Sequence, residues 1–235
     1  MMLGACPNNT SIVYEYMSNR NLEHHLSRKS GAPPLPWYVR FRICFEVTAA
    51  LLFLHSLPEN ISHGDLNLKN IFLDQSFISK IGNVGIAKLF YRLSNIGTVE
   101  PLASIDHESD AHALGITMLR LLTGLPADQV VGFVGEALDN GQFDNILDVS
   151  AGEWPLVEAM ELACLSLELV ELRVRNQDDW MEKMMETLEK IRVTVDERMA
   201  NENQVFPQPP RGSEQSVPSY FLCPITQVPF YLSMN

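Results

Sequence analysis

The sequence predicts a mainly α (α+β) protein, a helical body carrying one small β-hairpin. Apolar residues recur with helical period from Asp110 to Ile191, and a second run of that period spans Trp37 to His55. Between them lie two short apolar runs, Ile71 to Leu73 and Phe77 to Ile81, joined by the turn-prone Asp74-Gln75-Ser76. That spacing suits a hairpin.

The elements follow in chain order. Ser11 to Met17 is rich in β-branched and aromatic side chains and stops at Ser18-Asn19, which predicts a strand. Asn21 to Lys29 then reads as a short helix. Pro36 stands where a first helical turn tolerates proline, and Ile43, Val47, Ala50 and Leu54 follow on one face, which predicts a buried helix over 37–55. Beyond Asp110, one face holds Ala111, Leu114, Met118 and Leu121. A second, behind Pro155, holds Leu156, Met160, Ala163, Leu167 and Val170. A third holds Met181, Met184, Met185, Leu188 and Ile191, a methionine stripe of the kind that fills cores. Asp178-Asp179 before it complement a helix N-terminus, and Glu186 and Lys190 stand at a favourable spacing of four.

Around Asn201 to Pro218 the composition changes to prolines among polar neighbours, which predicts an extended linker. The expected plan is a folded domain over 1–195, a linker over 196–217 and the start of something else over 218–235.

The apolar fraction of 46% excludes disorder of the whole chain. A formal charge of -12, from 29 acidic against 17 basic residues, repels a phosphate backbone, so no nucleic acid is expected as a partner. The most apolar stretch, Ile43 to Leu54, is too short to cross a bilayer and carries Glu46, and the N-terminus lacks the pattern of a signal peptide. No membrane partner and a cytoplasmic location are therefore expected. Cys6, Cys44, Cys164 and Cys223 are too scattered for a metal pair or a disulfide framework and read as reduced, mainly structural thiols.

The stretch with chemical content is His63-Gly64-Asp65-Leu66-Asn67-Leu68-Lys69-Asn70, a polar loop between a helix and the hairpin. An aspartate followed five positions later by an asparagine can set a carboxylate near a substrate hydroxyl and an amide oxygen near a metal ion, as phosphoryl transfer requires. Such an aspartate also serves simply by accepting hydrogen bonds that shape the turn. Asn83-Val84-Gly85 stands at the end of the hairpin, and Asp110 opens a helix reading Ser109-Asp110-Ala111-His112-Ala113-Leu114-Gly115. His107 and His112 do not share a helix face and read as surface or capping residues rather than a metal site; the adjacent His24-His25 are expected to be exposed.

This order of motifs resembles the C-terminal lobe of a protein kinase, with catalytic loop, metal-binding turn and central helix in sequence. Upstream, Ile12 to Met17 resembles the strand and hinge that hold adenine, with Tyr14 guarding the back of the pocket. Tyr14-Glu15-Tyr16-Met17, Pro34-Leu35-Pro36-Trp37, Leu54-His55 and the tail from Pro218 through Phe221-Leu222-Cys223-Pro224-Ile225 resemble plant U-box proteins, in which a receptor-like cytoplasmic kinase domain precedes a U-box. The resemblance implies Asp65 and Asn70 as catalytic-loop residues, Glu15, Met17 and Asn83 at the nucleotide, and Asn70 with Asn83 at the metal. It implies ATP and magnesium as cofactors and, for the intact family, a ubiquitin-conjugating enzyme among protein partners.

The chain departs from that family in several places. The glycine-rich phosphate loop, its strand lysine and the paired helix glutamate are not found, so the small lobe is expected to be missing. Asn83 replaces the metal-binding aspartate. Losing a unit charge 4 Å from a divalent ion costs roughly 4 kcal/mol per unit of the ion's charge at an effective dielectric of 20, at least on the order of a thousandfold in rate. Asn67 stands in place of a lysine that neutralises phosphate, and Gly64 in place of an arginine that anchors a phosphorylated segment. Glu108 and Gln177 no longer form the family's ion pair, and the stretch from Ser104 to Ser109 looks shortened.

The expected function is a catalytically impaired, pseudokinase-like fragment of a U-box protein that acts as an interaction module and holds ATP and magnesium poorly. A working ATP-dependent serine/threonine kinase is one alternative, with Asp65 as base and Asn70 on the metal. The other is a U-box ubiquitin ligase, against which a truncated tail argues.

Overall fold

A computed structural model describes residues 2–6, 11–28, 31–58, 61–85, 107–171 and 177–201. The chain opens on strand β1 (Met2–Cys6), which no sequence pattern announced, paired antiparallel with β2 (Ser11–Tyr14). The second strand is shorter than the predicted 11–17 because pairing stops at Tyr14. Helix α1 (Leu22–Leu26) is capped by the Asn21 side chain, which accepts from the His24 amide at 3.1 Å. It ends earlier than expected, since Arg28 takes a left-handed φ of 48°.

Helix α2 (Trp37–Ser56) forms as predicted and is buried along most of its length. Ile43, Val47, Cys44 and Leu51 carry the core contact, whereas Ala50 and Leu54 of the expected stripe are only half-buried. An all-round apolar helix does not disclose which face wins. Strands β3 (Ile71–Leu73) and β4 (Ser79–Ile81) pair antiparallel, Ile71 opposite Ile81 and Leu73 opposite Ser79. The second strand starts at Ser79 rather than Phe77, because Phe77 adopts φ 57° and the Asp74 carboxylate accepts from the amides of Ser76 and Ile78 at 2.8 and 3.0 Å.

Helix α3 (His107–Thr123) lies at the centre and buries Ala111, Leu114, Met118 and Leu121 as predicted. Gly124, at φ 73°, ends it, and α4 (Ala127–Asp139) follows Pro126. Two short 3-10 turns, Phe143–Ile146 and Val149–Ala151, lead to α5 (Leu156–Val170). Here the predicted face holds only in its second half, where Ala163 is buried and Leu167 and Val170 pack against the core. Leu156 and Met160 are 42% and 39% exposed, and the buried side is Ala159, Leu162, Ala163, Ser166 and Leu169. Small residues on that side let α5 approach α3 at Gly115, where an added Cβ would lie 2.6 Å from the Ser166 carbonyl oxygen.

Helix α6 (Gln177–Asn201) closes the body against α2 and α5. Met184, Leu188 and Ile191 are buried as the stripe predicts, joined by Val195, and Lys190 pairs with Glu186 at 2.8 Å. Cys44 is a buried free thiol whose pKa burial raises to about 12; Cys164 is free and exposed. The side chains of Cys6, Met181, Glu108 and Gln177, the stretch around Ser104, and residues 202–235 with the proline-rich segment and Cys223 lie outside the described residues. No helix among the described residues is long and apolar enough to cross a membrane.

Candidate functional site

The polar loop from Ile61 to Asn70 runs between α2 and β3, and a buried carboxylate sets its shape. Asp110, 1% exposed near the start of α3, accepts from the His63 amide at 2.7 Å, the Gly64 amide at 2.9 Å and His55 Nε2 at 2.9 Å. Burial alone would raise its pKa, but these hydrogen bonds outweigh burial and hold the carboxyl below the usual range. Gly64 takes φ 80°, a left-handed turn that a glycine adopts without strain and that presents its amide to Asp110. The sequence marked Asp110 only as a helix start, since a contact across 47 positions leaves no local pattern.

Asp65 projects from this loop into solvent. Asn67 Nδ2 donates to its Oδ1 at 2.8 Å, and Asn70 Nδ2 donates to its Oδ2 at 2.9 Å and to its carbonyl at 2.8 Å. Asn70 is buried, and its remaining side-chain oxygen, Oδ1, accepts from Asn83 Nδ2 at 2.7 Å. Asn83 follows β4 in a left-handed conformation, φ 64°, that asparagine tolerates better than most residues. The Gly82 amide bonds the Asn70 carbonyl at 2.8 Å beside it. The fold thus joins Asp65, Asn70 and Asn83, three residues singled out from sequence, in one relay of side-chain amides.

Glu15 and Met17 lie on the segment after β2. Both Glu15 oxygens accept from Lys80 Nζ of β4, at 2.9 and 2.8 Å, and that hydrogen bond holds the Glu15 carboxyl below its ordinary value. The Met17 carbonyl closes a turn with the Arg20 amide at 3.1 Å. The segment is fastened to the hairpin where the Asn19 amide bonds the Leu73 carbonyl at 3.1 Å and the Leu73 amide bonds that of Arg20 at 2.7 Å. Asn21 Nδ2 adds a bond to the Lys69 carbonyl at 3.1 Å. The hinge-like residues and the catalytic-loop residues therefore hang from the two ends of β3.

Magnesium takes oxygen ligands in a near-octahedral shell. Of the two residues that could hold it, Asn70 presents an oxygen already facing an N–H donor, and Asn83 brings a neutral amide. This pair does not fit a divalent cation, and no cluster of three or more His, Cys, Asp or Glu side chains among the described residues could hold one. His112 is used otherwise, with Nδ1 3.0 Å from the Val170 carbonyl oxygen. His25 corrects the expectation of exposure. It is 6% exposed, with Nε2 2.8 Å from the Asn19 carbonyl oxygen and its ring edge-on to Phe77.

A helical body with a buried central helix, a polar loop anchored on that helix's aspartate and a hairpin leading to a tight turn define a protein kinase large lobe. The protein tyrosine and serine/threonine kinase family matches residues 1–131, and the chain belongs to that family. It is 38% identical to U-box domain-containing protein 35 of Arabidopsis thaliana over 246 residues, covering 96% of this chain and 28% of that protein. Identity to U-box domain-containing protein 33 of the same plant is 39% over 241 residues, covering 96% and 28%. U-box domain-containing protein 70 of Oryza sativa subsp. japonica is 33% identical over 247 residues, covering 96% and 30%. The chain spans less than a third of the length of these relatives.

Proposed function

We propose that this chain is a catalytically impaired, pseudokinase-like domain of a U-box protein and acts as an interaction module. The observation that carries this reading is the 2.7 Å hydrogen bond from Asn83 to Asn70 Oδ1. A neutral donor faces the oxygen that a metal would need, so charge on the β- and γ-phosphates finds no counter-ion there. Asn67, in place of a phosphate-neutralising lysine, spends its amide on Asp65. ATP and magnesium, which kinases use generally, are held weakly or not at all.

Protein contact is supported by apolar side chains at the surface near the hairpin, with Tyr14 37%, Tyr16 62% and Ile78 44% exposed. The plan is a kinase-like body over 1–195, a linker over 196–217 that begins inside α6, and a U-box start over 218–235. The whole protein works in the cytoplasm with protein partners, a ubiquitin-conjugating enzyme among them, and the U-box supplies ubiquitin ligation only where it is intact.

A second reading, an active serine/threonine kinase, is favoured by the exposed carboxylate of Asp65, steered by Asn67 and Asn70 as a catalytic base is. Labelled phosphate transfer from magnesium-ATP to a generic protein substrate separates the two. The expected result is incorporation equal to that of an Asp65→Asn variant. Incorporation that the variant abolishes overturns the proposal.

A further inference from the structure

We infer that the Asn83 side-chain amide takes the place of the metal ion, as a strut that closes the catalytic loop onto the turn after β4 without any cation. The inference rests on the reading of this site as catalytically impaired and deepens it by assigning Asn83 a positioning role.

The orientation of the strut follows from the relay. Asn70 Nδ2 is committed to the Asp65 carbonyl and carboxylate at 2.8 and 2.9 Å, so Asn70 can present only Oδ1 toward Asn83. An oxygen 2.7 Å away would be repelled, and the Asn83 donor nitrogen is the atom that fits. In a metal-dependent site a cation bridges two such oxygens. Here the Asn83 N–H reaches the Asn70 oxygen directly, and the loop needs nothing from solution to stay closed. Backbone bonds span the same junction, from Gly82 to the Asn70 carbonyl at 2.8 Å and from Gly85 to the His63 carbonyl at 3.1 Å. Their amides report whether it is open or shut.

Replacing the amide by a carboxylate of the same shape turns a donor into an acceptor. Asn83→Asp keeps the size of the side chain and a residue type that accepts a left-handed φ, while placing two acceptors face to face. A cation between them would relieve that repulsion, so closure should become metal-dependent. Asn83→Gly removes the amide without backbone strain and separates loss of the strut from a change in the turn.

Hydrogen exchange on the full chain at the Gly82 and Gly85 amides, with magnesium or with chelator, tests the inference. Unmodified protein should exchange equally in both. Asn83→Gly should exchange roughly fivefold faster in both, the factor expected for one net hydrogen bond. Asn83→Asp should exchange faster in chelator and regain protection in magnesium. Magnesium-dependent protection of the unmodified chain overturns the inference, as does unchanged exchange in Asn83→Gly or failure of magnesium to protect Asn83→Asp. The readout is independent of phosphate transfer, so an active enzyme with a cation-free strut would sink only the functional reading.

Discussion

Arg40 on α2 and Asp148 in the segment before α5 meet at 2.6 Å across 108 positions of sequence, with the arginine only 2% exposed. The same guanidinium donates to the Leu35 carbonyl at 2.8 Å and the Leu121 carbonyl at 2.9 Å, and it lies 5.8 Å from the Trp154 ring centroid. One side chain thereby ties the entry to α2, the end of α3 and the turn that leads to α5. Removing one partner strands a buried charge, which costs about 3 kcal/mol. Asp148→Leu should therefore lower the melting midpoint by roughly 6 to 12 °C. Arg40→Met combined with Asp148→Leu should fall less than Asp148→Leu alone, because no charge is left unpaired; equal or greater loss in the double variant refutes the brace.

The close approach of α3 and α5 depends on Gly115. A methyl group there would meet the Ser166 carbonyl oxygen at 2.6 Å and Val170 Cγ2 at 2.8 Å, both in a packed interior. Gly115→Ala should destabilise the fold by about 1 to 3 kcal/mol, the usual cost of overpacking. Gly132→Ala on α4, where nothing lies within 4 Å, is the control and should not lose stability. Denaturant midpoints of the two variants decide the point.

How far the sequence foretold this fold varies by element for physical reasons. The hairpin, α2, α3 and the methionine face of α6 were legible because a local period or turn residue marks each one. The face of α5 was legible only in its second half, from Ala163 to Val170; its first turns were not, since that helix is apolar on opposite sides and its close approach is to Gly115 on a different helix. The relay of Asp65, Asn70 and Asn83 was readable as an order of motifs, while the direction of its last hydrogen bond is a matter of three-dimensional placement. Arg40 and Asp110 are buried polar groups satisfied by distant partners, and no local pattern marks a polar residue as buried.

Acid should weaken the protein in two stages. Burial lowers the pKa of His63, so the native state keeps that ring neutral where the unfolded chain would protonate it near pH 6.5. The unfolded state then binds more protons, and stability falls as pH drops below about 6.5. The Asp110 carboxyl, also lowered, contributes stability present above its unfolded pKa, near 3.9, and lost as pH falls through its folded value. Urea midpoints between about pH 8 and about pH 5 should decline, with a shallower slope in His63→Gln. A flat profile across that range would contradict the assignment of a neutral buried ring.

Nucleotide binding should be indifferent to magnesium in the unmodified chain. Any adenine contact at the segment around Glu15 to Met17 would need no metal. The triphosphate does, because its charge must be neutralised, and Asn83 and Asn67 are both uncharged. The Coulomb term for one restored carboxylate 4 Å from a divalent ion, roughly 8 kcal/mol at an effective dielectric of 20, exceeds the 1.4 kcal/mol that changes affinity tenfold. Asn83→Asp should therefore make ATP binding tighter in magnesium than in chelator by at least about tenfold, while adenosine, which carries no phosphate, shows no difference. Isothermal titration of both ligands with both proteins is the measurement. An unmodified chain that already binds ATP tenfold more tightly with magnesium would mean that the Asn70 and Asn83 oxygens accept a cation, and the neutral site proposed above would be wrong.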